Sequence, residues 1–160
     1  MTLPGATREL VDAAATAAVG ARLAAAVRGG DAIALIGDLG AGKTTLVGGL
    51  VAALGGGQAS SPTFSLVNEY PGGRLVVWHV DLYRLERAAE LAELGLDDLI
   101  GDRRGICVIE WADRFEVLPA DHLRIELGHV AGGRRLVATG RGPRGRELAA
   151  ELLGSLAGAR

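Results

Sequence analysis

Cysteine is almost missing from this chain, and that scarcity sets the first limits. Cys107 is the single cysteine, so no disulfide can close within the chain, and the three histidines show no metal-ligand spacing with it. A disulfide scaffold and a structural zinc site are both set aside. Aromatic residues are scarce at 4%, which leaves Ala, Leu and Val to build the core. No apolar run approaches the length that spans a membrane, and Met1 to Leu10 lacks the charged-then-apolar pattern of a secretory signal, so a cytoplasmic location is expected. An excess of either charge is lacking too. The net charge of −2 argues against a broad nucleic-acid-binding surface; the late cluster Arg134, Arg135, Arg141, Arg144 and Arg146 reads as a local basic patch or, more plainly, as a solvated hairpin and tail.

What is present is an alternation of helical and strand patterns within one domain's length, 160 residues, with no repeat and no dividing linker. Glu9 to Val27 is Ala-rich, with apolar residues at three- and four-residue steps, and predicts a helix stopped by Gly29-Gly30. Ala32 to Ile36 is a short continuous apolar run, the pattern of a strand covered on both faces in a parallel sheet. Lys43 to Leu54 predicts a helix closed by Gly55-Gly56-Gly57. Phe64 to Tyr70 and Leu75 to Asp81 predict an antiparallel hairpin through Pro71-Gly72-Gly73. A helix over Leu85 to Leu94, a buried strand over Ile106 to Ile109 and another over Leu123 to Leu127 follow. The last of these pairs with Leu136 to Thr139 through Ala131-Gly132-Gly133, and a terminal helix covers Arg146 to Leu156. The fold class expected is α/β: a single domain over 1–160 with a mixed, mostly parallel sheet, a β-hairpin and flanking helices.

One motif carries chemistry by itself. Gly37-Asp38-Leu39-Gly40-Ala41-Gly42-Lys43-Thr44 is a complete phosphate-binding loop between a strand-like and a helix-like segment. A nucleoside triphosphate brings several negative charges, and a helix N-terminus with unpaired N–H groups answers them. Asp38, Leu39, Gly40, Ala41, Gly42, Lys43, Thr44 and Thr45 are therefore the candidate nucleotide-binding residues. Lys43 supplies a point charge to the β and γ phosphates, and the Thr44 hydroxyl suits magnesium. Asp38 is unusual there, because it brings negative charge near phosphates; its side chain caps the loop, points away or takes part in hydrolysis.

Parallel sheets bind ligands at the carboxyl ends of their strands, and two acids fall at such ends. Glu110 directly follows Ile106 to Ile109, where it would hold magnesium or orient an attacking water; the plainer reading is a solvated strand-end carboxylate. Asp81 ends the strand Leu75 to Val80 and shares those roles, or else caps the helix that follows. Both are candidate catalytic and magnesium-binding residues beside Thr44. His79 contacts phosphate or a partner, or fills the hairpin face. Trp111 stacks on a base or a partner, or edges the core. Cys107 sits in an apolar strand without a basic neighbour, so a reactive thiol is not expected.

Four ordered stretches resemble the bacterial TsaE (YjeE) family. Gly37 to Thr45 is similar to its phosphate loop, Ser61-Pro62-Thr63-Phe64-Ser65-Leu66-Val67-Asn68-Glu69-Tyr70 to its switch-like segment, His79-Val80-Asp81-Leu82-Tyr83-Arg84-Leu85 to its acidic strand-end motif, and Ile109-Glu110-Trp111-Ala112 to its acid-Trp pair. The resemblance covers roughly Ala14 to Pro119, and no family signature is recognised from about Ala131 onward. It implies an ATPase of tRNA threonylcarbamoyladenosine synthesis that uses ATP and Mg2+ and docks on a heterodimer of TsaD and TsaB, with tRNA acted on by the complex. It further implies switch or partner roles for Ser61, Thr63, Arg84 and Trp111. No cationic finger is evident in the chain, so slow hydrolysis alone and acceleration by the partner are expected, with Arg84 the best internal candidate.

Rival readings are a nucleotide-gated binding module that works by occupancy, and a small-molecule kinase, whose Arg-rich lid is not evident after the loop. A regulatory GTPase is disfavoured: no Asn-Lys-x-Asp base-reading motif occurs, and Asp102-Arg103-Arg104-Gly105 precedes its strand.

Overall fold

The run Ala32-Ile33-Ala34-Leu35-Ile36 carries no polar side chain, as a strand covered on both faces requires. In the computed structural model, which describes residues 6–38, 40–57 and 66–157, this run is the middle strand of the sheet and its first four residues are buried. The strands are β1 (Ala6–Leu10), β2 (Ala32–Ile36), β3 (Val67–Tyr70), β4 (Val76–Asp81), β5 (Gly105–Glu110), β6 (His122–Val130) and β7 (Gly133–Arg141). The helices are α1 (Ala13–Ala26), α2 (Lys43–Leu54), α3 (Ala89–Glu93), α4 (Leu96–Leu99) and α5 (Gly142–Ala157), with a short 3₁₀ turn at Ala112–Arg114. Seven strands form one sheet in the order β1-β7-β6-β2-β5-β4-β3. The middle is parallel, β6 with β2, β2 with β5 and β5 with β4, while β3, β7 and β1 add antiparallel margins. The mixed α/β architecture is the one the sequence predicts.

The elements depart from expectation where tertiary contacts outweigh local pattern. Glu9 to Val27 does not form one helix. Its first residues belong to β1, which pairs with β7, and Asp12 caps α1 by accepting the Ala15 N–H at 2.8 Å. The helix expected over Leu85 to Leu94 shrinks to α3. Leu82 and Leu85 are drawn into the core, the Glu90 carboxylate accepts the Glu86 N–H at 3.1 Å, and Gly95 turns left-handed at φ 66° before α4. Phe64 and Ser65, at the start of the expected first hairpin strand, lie outside the described residues. β6 and β7 are longer than expected, closing on Val130 opposite Gly133, and α5 begins at Gly142 rather than Arg146.

The arginine cluster is not simply a solvated tail. Arg144 forms a two-pronged pair with the buried Asp31, Nε to Oδ1 at 2.9 Å and Nη2 to Oδ2 at 2.7 Å, and also donates to the Ala26 carbonyl. That pair holds the guanidinium further toward its charged form, and it ties α5 to the entry of β2.

One face of the sheet is covered by α1, α2 and α5 around Ile33, Leu35, Leu50 and Leu123; the other buries Ala34, Trp78, Ile109 and Leu82. Cys107 lies in the second layer, and burial pushes its thiol up to about 12, in keeping with the inert role expected. Helices α1 and α2 approach backbone to backbone. A β-carbon at Gly20 would stand 2.0 Å from the Leu46 carbonyl oxygen, and one at Gly49 would stand 1.9 Å from that of Ala17. At Gly48 the same carbon would meet nothing within 4 Å.

The sign of a Gly→Ala change should therefore differ between positions in the α1–α2 pair. Gly48→Ala should gain up to about 1 kcal/mol from helix propensity, whereas Gly20→Ala and Gly49→Ala should each lose about 1–3 kcal/mol by forcing the helices apart. Urea unfolding of the three variants checks this, and equal effects at all three positions would contradict the close contact.

Candidate functional site

Parallel neighbours end at the same edge of a sheet, and here β2, β5 and β4 bring their carboxyl ends together. After Ile36 come Gly37 and Asp38, and Gly40, Ala41 and Gly42 lead into α2. The Ala41 N–H donates to the Asp38 carbonyl at 3.0 Å, and Gly42, at φ 108°, takes a left-handed position that a side chain would strain. The N-cap residue Gly42 has no side chain to cap α2, and a helix N-terminus is a place from which backbone N–H groups can donate to an anion.

Lys43 is buried at the base of this loop. Only 6% of the residue is exposed. Nζ donates to the Gly37 carbonyl at 2.6 Å, lies 4.3 Å from the centre of the Trp111 ring, and stands 3.9 Å from Glu110 Oε1. An ammonium withdrawn from water needs such partners, and the carboxylate, the carbonyl and the ring face supply them.

Glu110 and Asp81 are direct register partners at the ends of β5 and β4, so both carboxylates leave the sheet side by side. Glu110 is buried, against the solvated strand-end reading, and its Oε2 lies 2.7 Å from Nε2 of the fully buried His79. Asp81 is half-buried, and one of its oxygens accepts the Tyr83 N–H at 2.9 Å, so it caps the following turn while remaining at the site. Burial raises the Asp81 carboxyl above its ordinary value; Glu110 adds to the rise, while the Tyr83 N–H, Lys43 and His79 oppose it. A positive charge brought close to it would work against that rise.

Trp111 is the single non-glycine residue with positive φ among those described, at 61°. Such a backbone costs about 1–3 kcal/mol and persists where its surroundings hold it. Tyr83 packs on the ring at 5.0 Å between centroids, opposite in role to the Lys43 ammonium that faces it. Trp111 thus borders a hollow of about 270 Å³ that Gly40, Gly42, Lys43, Thr44, Thr45, Asp81 and Glu110 also line.

Of the residues the sequence singled out, Asp38 is exposed at the rim beside Trp111, and Ala41 is buried under the loop. Arg84 is exposed on the turn after Asp81 and is not among the lining residues. Leu39, Ser61 and Thr63 lie outside the described residues. One contributor was missed. Arg134 of β7 donates from Nη2 to the Gly40 carbonyl at 3.2 Å, and it helps enclose a second hollow that shares Gly40, Gly42 and Thr45 with the first and continues to Asp12 and Thr16. Nothing local in the sequence could show this, because Gly40 and Arg134 are joined by the sheet alone. His79 was noted without a partner; its two-residue step from Asp81 was the available signal for a shared face.

A buried lysine at the start of an uncapped helix, facing two strand-end carboxylates across a glycine-rich turn, defines a P-loop NTPase-like α/β protein. The family model described as "Threonylcarbamoyl adenosine biosynthesis protein TsaE" matches residues 10–137, beyond both ends of the stretch recognised from motifs. The chain belongs to the TsaE family. It is 39% identical over 122 residues to the tRNA threonylcarbamoyladenosine biosynthesis protein TsaE of Bacillus subtilis, covering 75% of each chain. It is 41% identical over 130 residues to the protein of that name in a Nostoc species, covering 79% of this chain and 80% of the relative. The crystal structure of Bacillus subtilis YdiB superposes with a TM-score of 0.80 over 97% of each chain, at 32% identity. No helix among the described residues is long and apolar enough to cross a membrane.

Proposed function

We propose that this chain, as one ATPase domain over 1–160, binds ATP with magnesium and hydrolyses it to drive turnover of TsaD–TsaB in tRNA N6-threonylcarbamoyladenosine modification, in the cytoplasm. The observation that carries the reading is the convergence of Lys43, Glu110 and Asp81 on one hollow at the N-terminus of α2. A glycine-rich turn that bound nothing would have no need of a buried ammonium facing two carboxylates.

The loop amides and Lys43 bind the β and γ phosphates, and the second hollow, past Thr45 and Arg134, takes the nucleoside end. The Thr44 hydroxyl and the Asp81 and Glu110 carboxylates are all oxygen donors, the set that suits magnesium without a complete protein cage. Held by these oxygens, magnesium would supply positive charge to offset that of the phosphates. Asp81 and Glu110 would hold it, directly or through water, or orient the attacking water. Trp111 and Tyr83 shield the lysine side from bulk water. The turn 81–84 and the segment with Ser61 and Thr63 are where TsaD–TsaB would dock, fixing these groups against the triphosphate or adding a cation; tRNA meets the complex.

Steady-state hydrolysis with and without the TsaD–TsaB heterodimer tests the reading. Slow turnover alone and acceleration by the heterodimer are expected, and Asp81→Ala or Glu110→Ala should lower the accelerated rate about 100-fold while ATP still binds. If the isolated protein already matches the rate of the complex, partner gating is wrong; if a nonhydrolysable analogue supports repeated modification, occupancy alone suffices. Arg134→Ala should raise the Kd for ATP about fivefold through loss of one charge-assisted contact and leave the rate at saturation near that of the unmodified protein, as equilibrium binding and saturation kinetics would read.

A further inference from the structure

A carboxylate that works on a phosphate or a water must present a chosen oxygen, and free rotation about its terminal bond presents either. Glu110 does not have that freedom. Its Oε2 is engaged by His79 Nε2 at 2.7 Å, and its Oε1 stands 3.9 Å from Lys43 Nζ. His79 is fully buried, sits two residues before Asp81 on the same face of β4, and is not among the residues lining the phosphate hollow. Its one hydrogen bond to a residue lining that hollow goes to Glu110, while it acts on Asp81 through space. The other ring nitrogen, Nδ1, is buried with no hydrogen-bond partner. Beside Val77 and Val108, which share its layer, an apolar side chain would avoid that unmet nitrogen, so packing does not explain an imidazole here.

We infer that His79 is a positioning residue: its Nε2–H holds Glu110 Oε2 so that Oε1 alone faces Lys43 and the phosphate hollow. The inference rests on the hydrolytic reading above. A carboxylate oxygen accepts and an imidazole N–H donates, so Nε2 is the nitrogen that carries the proton in this contact. Outer partners of this kind fix a ligand's orientation without touching the ligand's target.

Two substitutions separate the donor from the bulk of the ring. The amide nitrogen of Gln reaches about as far along the side chain as Nε2, and that of Asn only as far as Nδ1. With the full-length chain, MgATP and the heterodimer, His79→Asn should lower kcat about 10- to 100-fold with KM for ATP little changed, and His79→Gln should restore kcat to within about threefold of the unmodified protein. Equal rates in both variants, whether high or low, would overturn the proposal, because volume and not the donor would then matter. Folding of the variants is bypassed by ¹⁵N-detected imidazole spectra of the unmodified protein, in which His79 should show the Nε2–H tautomer and lose the signature of a charge-assisted bond in Glu110→Gln. An Nδ1–H tautomer, or no response to Glu110→Gln, would overturn it. Inert wild-type protein in the ATPase assay would refute the hydrolytic reading instead, and the spectra would still decide the contact.

Discussion

A lysine ammonium taken out of water is the constraint on which the rest of this site depends. Lys43 is held at once by a loop carbonyl, a ring face and a carboxylate, three partners from two separate stretches of chain. Each partner is placed by something larger. The Gly37 carbonyl belongs to the turn that only glycines allow, Glu110 to the end of a strand hydrogen-bonded beside β2, and Trp111 to a left-handed residue that swings its ring back over the loop. Remove the parallel register of β2 and β5 and the cation loses its counter-charge. This is why a fold with an otherwise ordinary Ala- and Leu-built core keeps charged groups at one edge: they compensate one another.

The same economy of position extends outward. Asp81 lies next to Glu110 because β4 runs parallel to β5 in register, and it also anchors the turn that carries Tyr83. Tyr83 packs on Trp111, and Arg114 donates to the Leu82 and Tyr83 carbonyls, so contacts tie together the turn, the aromatic pair and the acid. A partner that pressed on the exposed Tyr83 or Arg84 would act directly on Asp81 and, through Trp111, on Lys43. That mechanical link makes the proposed gating by TsaD–TsaB a matter of positioning groups already present.

Much of this was legible in the chain. β2 and α2 begin and end at the residues the apolar run and the glycine stops indicate, because continuous burial and a phosphate loop leave little freedom of boundary. Glu110 and Asp81 were found as strand ends, and their pairing followed from strand order that local pattern does not contain. The helix over 85–94 failed because Leu82 and Leu85 serve the core from an irregular turn, and β1 was hidden by the Ala-rich helix after it. Arg134 and Arg144 looked alike as members of a basic tail. Sheet pairing carries one to the phosphate loop and α5 carries the other to Asp31, and nothing within several residues of either distinguishes them.

Calorimetric titration of MgATP into the unmodified protein and into Lys43→Met tests the central claim most directly. Methionine keeps the length and apolar stem of lysine and removes only the ammonium, and a thermal melt establishes that the variant is folded. The account predicts binding to the unmodified protein and an affinity lower by about 100-fold or more in Lys43→Met, the loss of roughly 2.7 kcal/mol. A folded Lys43→Met protein that bound MgATP as tightly as its parent would contradict it.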